Sequence, residues 1–120
     1  GPAGAFLNTF DAVGPRTYPL SVFAERGYTV LLPNLRGSVG YGEAFRRANT
    51  RDWGGGDFRD MMSGVDAMVD RGIADPDRLG VMGWSYGGYM TNWIIGHNGH
   101  NAVLITVTVI SDFNLAAFSW

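Results

Sequence analysis

A chain of 120 residues of which 46% are hydrophobic is long enough to bury one modest core. Its formal net charge is −2, and its nine basic residues, all arginine, are scattered along the chain, so no basic stripe is offered to nucleic acid. The absence of cysteine excludes disulfide frameworks and thiolate metal sites, and the longest apolar run, about ten residues with threonines inside it, is too short for a membrane span.

The chain opens Gly1-Pro2, with no initiator methionine and no basic stretch ahead of an apolar core, as if cut from something longer. The compartment stays open on that basis, leaning cytoplasmic. Residues 1–15 carry glycine and proline without a period and read as a loop. A helix is expected over residues 18–26, with Gly27 at its C′ position. Residues 28–32, Tyr-Thr-Val-Leu-Leu, form a β-rich apolar run stopped by Pro33, the pattern of a strand buried on both faces. A glycine-punctuated loop, residues 34–42, comes next, followed by a short amphipathic segment over 43–48 and the loop Trp53-Gly54-Gly55-Gly56. The clearest helix covers residues 57–71, where Phe58, Met61, Met62, Val65, Met68 and Val69 recur at three- and four-residue steps. Asp57 and Asp60 suit its N-terminus, and Arg71 with Gly72 closes it. Its methionine stripe reads as core packing. Asp75-Pro76-Asp77 makes a turn.

Residues 79–82 are again a short apolar run, and residues 89–95 are compatible with a helix. Between them stands Gly83-Trp84-Ser85-Tyr86-Gly87-Gly88, a strand, a sharp turn and a helix with one serine at the apex. The spacing G-x-S-x-G has a steric cause. In a nucleophile elbow the serine sits at a strained backbone angle, and the chain passes close to itself two residues either side, where only Gly83 and Gly87 lack a clashing Cβ. In a chain with 18 glycines the pentapeptide alone is a weak signal; the strand before it and the helix after it supply the context. Residues 102–110, rich in Val, Ile and Thr, read as a further central strand.

Strands alternating with helices predict a mostly parallel α/β sheet with flanking helices, in which chemistry lies at the carboxyl ends of the strands. Ser85, the 34–42 loop and the Ser111-Asp112 end fall on that active edge; Asp75, Asp77, His97 and His100 fall on the other. A serine nucleophile needs a histidine base oriented by a carboxylate. His97 lies twelve residues beyond Ser85 down an outgoing helix, roughly 15 to 18 Å away at 1.5 Å per residue, so neither it nor His100 serves. The order Ser, acid, His of this fold puts the missing acid and base after residue 120. One oxyanion donor is expected to be the backbone N–H of Tyr86, at a helix N-terminus; the second is expected from a loop at or just before Gly1. Arg36 and Tyr41 are the candidates for the substrate side of the 34–42 loop, with a structural clamp preferred over substrate contact for Arg36. Asp112 could be a triad acid or a cap accepting a backbone N–H from Asn114 or Leu115; the cap is preferred.

Three linked motifs, Asn34-Leu35-Arg36-Gly37-Ser38-Val39-Gly40-Tyr41-Gly42, Asp75-Pro76-Asp77-Arg78-Leu79-Gly80-Val81-Met82 and Gly83-Trp84-Ser85-Tyr86-Gly87-Gly88-Tyr89-Met90, together resemble the prolyl oligopeptidase family of serine peptidases. Within it the chain looks most like the acylaminoacyl-peptidase and dipeptidyl-peptidase branches. The likeness covers roughly residues 1–95, and Gly1-Pro2 resembles the tail of the family's His-Gly-Gly-Pro segment beside the oxyanion hole. The resemblance implies the nucleophile-containing half of an α/β-hydrolase catalytic domain. It also implies an acyl-serine mechanism with no metal or cofactor, and a β-propeller that admits only short peptides as substrates. It places the acid beyond the strand that follows Asp112. No propeller repeat is visible in these 120 residues. A carboxylesterase on the same fold, or a non-catalytic fragment or degenerate copy, are the other readings left open.

Overall fold

Leu20–Glu25 forms a short helix, α1, whose end is set by a glycine just beyond it. Gly27 takes φ +85°, its N–H reaches the Ala24 carbonyl at 3.0 Å, and the Tyr28 N–H reaches Phe23 at 3.1 Å. This is the Schellman pattern, and the hydrophobic contact that accompanies it is the edge-to-face pair of Phe23 and Tyr28, 5.6 Å between ring centroids. The computed structural model describes residues 4–6 and 20–97. The first two residues expected in this helix, Tyr18 and Pro19, lie outside the described residues.

Residues 28–35 run on without forming a β-ladder among the described residues, and the same is true of residues 79–82. A strand receives its hydrogen bonds from neighbouring strands, so an apolar run read from its own residues becomes a strand only where a partner lies beside it. The run expected over 102–110 lies outside the described residues.

Glu43–Arg47 forms α2 and Gly56–Asp70 forms α3. In α2 the Glu43 carboxylate takes both Arg46, at 2.8 Å, and Arg47. In α3 the first turn is organised by aspartates: Asp52 accepts the Gly56 N–H at 2.8 Å, and the buried Asp57 accepts the N–H groups of Gly54 and Phe58, each at 2.9 Å. The Gly56 and Phe58 N–H groups are orphan donors of a helix start, and the Gly54 N–H belongs to the loop just ahead of it; all are satisfied by carboxylates that the N-terminal dipole also favours. At the other end a second Schellman pattern forms, with Gly72 N–H on Val69 at 2.8 Å and Ile73 N–H on Met68 at 2.9 Å. The apolar stripe Phe58, Met61, Met62, Val65, Met68 and Val69 is half-buried among the described residues, so the packing expected of it is only partly realised there.

Tyr86–His97 forms α4, which starts at the residue the elbow motif puts at a helix N-terminus and three residues before the helix-compatible run 89–95. The difference arises because the elbow glycines Gly87 and Gly88, poor helix formers, are inside the helix rather than ahead of it. The chain divides into two compact units, Gly1–Ala74 and Asp75–Trp120. Leu20 and Leu35 are the buried apolar side chains described in the first, and Met90 and Ile94 those in the second.

Candidate active site

In the second unit the chain enters the site along residues 79–83 and leaves it as α4. Ser85 stands between them at φ +56°, one of two non-glycine residues in the left-handed region among those described. Such a conformation costs a residue with a Cβ roughly 1 to 3 kcal/mol and persists only where the surroundings impose it. The imposition is visible two residues away. A Cβ on Gly83 would stand 2.7 Å from the Gly87 α-carbon and closer still to the Gly87 carbonyl, all of it backbone. Glycine at position 83 is thus what lets the incoming chain touch the first turn of the helix, and Ser85 is what the closed turn lifts out, exposed at the surface of the unit.

The first turn is held by its own ladder: Gly87 N–H donates to Trp84 at 2.8 Å, Gly88 N–H to the Ser85 carbonyl at 2.9 Å, and Tyr89 N–H to the same carbonyl at 3.2 Å. Tyr86 opens α4, so its N–H belongs to the positive end of the helix dipole. The structure brings together Gly83, Ser85, Tyr86, Gly87 and Gly88 as a sharp turn into a helix with the serine at its apex, the local shape expected of the G-x-S-x-G spacing. A series of aromatic rings then runs down α4, from Tyr86 to Tyr89 at 5.4 Å and on to Trp93 at 6.0 Å. His97 closes it. Its ring stacks on Trp93 at 4.0 Å, and its Nδ1 donates to the Trp93 carbonyl at 2.8 Å.

In the first unit the 34–42 loop is held by side chains. Arg36 meets Asp60 three times, through its backbone N–H at 3.0 Å, its Nε at 2.9 Å and its Nη2 at 2.8 Å. The paired carboxylate holds the guanidinium above its usual value, and the guanidinium's hydrogen bonds hold the Asp60 carboxyl below the ordinary carboxylate range. A Cβ on Gly56, the first residue of α3, would stand 2.6 Å from the Arg36 Cζ, so the guanidinium lies against the start of that helix where a glycine leaves room for it. Tyr41 accepts the Asn34 Nδ2 at 2.8 Å and packs on Phe45, 5.1 Å between rings. The Asn34 carboxamide also exchanges two hydrogen bonds with the Phe6 main chain, 2.7 Å to its N–H and 3.1 Å to its carbonyl.

Asp60 and Asn34 escaped sequence reasoning. By position Asp60 suits the helix dipole, and nothing in local periodicity pairs it with an arginine 24 residues earlier. Asn34 carried the weaker signal of an amide just after the apolar run that ends at Pro33. Asp112, His100 and Gly1-Pro2 lie outside the described residues. Among those described, no group of three or more His, Asp or Glu side chains is placed to hold a metal ion.

The chain belongs to the prolyl oligopeptidase family, whose pattern matches residues 16–117. Membership implies an α/β-hydrolase fold. The chain is similar to an uncharacterized peptidase, YuxL, of Bacillus subtilis, 44% identical over 97 residues, which is 80% of this chain and 15% of that protein. It is also similar to dipeptidyl-peptidase 5 of Porphyromonas gingivalis, 36% identical over 79% of this chain and 14% of the relative. The dipeptidyl-peptidase 5 of Schizosaccharomyces pombe is 38% identical over 81% of this chain and 14% of its own length. The chain spans about one seventh of the length of these relatives.

Proposed function

We propose that this chain is the nucleophile-bearing part of a serine peptidase that hydrolyses short peptides, of oligopeptidase, acylaminoacyl- or dipeptidyl-peptidase type. The observation that carries the reading is Ser85 at φ +56° between Gly83 and the start of α4, in a chain of this family. In the reaction, Ser85 Oγ attacks the scissile carbonyl and passes its proton to a histidine base. The charge that develops on the carbonyl oxygen is taken by the Tyr86 N–H and a second backbone donor. The C–N bond breaks as the histidine returns the proton to the leaving amine, and water then hydrolyses the Ser85 ester. His97, committed to Trp93 at the far end of α4, is not that base. Base and acid come from outside these 120 residues, and the chain by itself turns over no substrate. A mostly parallel sheet carries the elbow, and a β-propeller restricts the substrates to short peptides.

In the complete enzyme, Ser85→Ala lowers kcat by several orders of magnitude, as loss of a triad member does. Turnover retained within about tenfold of the parent would refute the assignment.

A further inference from the structure

The elbow contains one buried polar group that neither the nucleophile nor the oxyanion donors account for. Thr91 is 1% exposed, and its hydroxyl donates to the Gly87 carbonyl at 2.7 Å. A threonine one turn along a helix commonly bonds back in this way, and as a rule the bond only bends the helix slightly. Here the acceptor is not an ordinary carbonyl. It is the group that a Cβ on Gly83 would strike, so it forms the helix side of the close approach that shuts the turn. It also belongs to the peptide plane whose other edge, the Gly88 N–H, donates to the Ser85 carbonyl at 2.9 Å. A peptide unit is rigid. Fixing its oxygen from Thr91 therefore fixes its N–H, and through that N–H the main chain of the residue held at φ +56°.

We propose that Thr91 is a positioning residue for the nucleophile: its hydroxyl sets the Gly87–Gly88 peptide against Gly83, and thereby the direction of Ser85 Oγ and of the Tyr86 N–H. The inference rests on the serine-peptidase reading above. Thr91 touches no reacting atom. It acts on the first turn of α4, where an error of about 1 Å in the attacking oxygen is enough to lower the rate of acylation by up to a hundredfold.

The test compares Thr91→Val, which replaces the hydroxyl by a methyl group, with Thr91→Ser, which keeps it, in the complete enzyme alongside Ser85→Ala. Thr91→Val is expected to lower kcat and kcat/KM together, about tenfold or more per active-site-titrated molecule, with KM unchanged. Thr91→Ser is expected to stay within about twofold of the parent. A merely structural threonine would lower Tm in both variants and leave kcat per titrated molecule untouched, and that result overturns the proposal. If Thr91→Val does not fold, Thr91→Ala against Thr91→Ser makes the same comparison. Turnover that survives Ser85→Ala would remove the peptidase reading and this inference with it; Ser85-dependent turnover indifferent to the Thr91 hydroxyl removes the inference alone.

Discussion

At Gly83 a single methyl group decides whether the turn closes. The atoms that a Cβ would meet there are the α-carbon and carbonyl of Gly87, main chain that moves only if the helix start moves. Gly83→Ala is therefore expected to destabilise the fold by about 1 to 3 kcal/mol, the usual penalty of forcing extra volume into a packed site. It should also slow acylation of Ser85 in whatever fraction folds. Chemical denaturation read beside active-site titration checks both, and an alanine variant of unchanged stability and unchanged rate would show that the elbow is looser than its geometry. Ser85 differs in kind: its left-handed backbone is a strain that glycine would relieve, and on the proposed reading what the serine brings in exchange is its hydroxyl.

The elements that frame the 34–42 loop are tied by charge. Asp60 on α3 accepts three hydrogen bonds from Arg36, and its carboxyl is held below the ordinary value of about 3.9. A carboxylate whose folded pKa is depressed contributes stability above its unfolded value, and that contribution is lost as pH falls through the folded one. Asp60 should accordingly titrate below the ordinary aspartate range in an NMR pH series. In Arg36→Ala its titration should return to the ordinary range, and an unmoved midpoint would mean that the pair does not persist in solution. The same variant separates two roles of the arginine: lowered stability with unchanged KM makes it a clamp, and a raised KM with unchanged stability makes it a substrate contact. The helices at this scale were legible in the sequence, because Gly27 and Gly72 stand where Schellman endings need them and the apolar spacing of α3 follows the helical period. The start of α4 was legible from the elbow motif, which puts Tyr86 at a helix N-terminus, and not from residue propensity. Gly87 and Gly88 argue against a helix by propensity, while the close approach of Gly83 to the Gly87 main chain accounts for the glycine at 83. The partners of Arg36 and Asn34 were not legible, since a contact across 24 residues of chain, or an asparagine side chain pairing with a main chain 28 residues away, leaves no periodic trace.

For the whole molecule, the G-x-S-x-G motif and its two companions were enough to reach the family that residues 16–117 match. The parallel sheet was read from apolar runs whose ladders depend on neighbouring strands, and this is the part of the architecture that a single run cannot specify. The catalytic reading divides the work between this chain, which supplies the nucleophile and an oxyanion donor, and residues outside it, which supply the base and the acid. Labelling by a fluorophosphonate probe, mapped to its site by mass spectrometry in the complete enzyme and in the 120-residue chain, tests that division most directly. The account predicts rapid modification at Ser85 in the complete enzyme, none in Ser85→Ala, and labelling of the 120-residue chain slower by orders of magnitude for want of a base. Rapid labelling at another residue of the complete enzyme, or labelling of the 120-residue chain at the full rate, would contradict it.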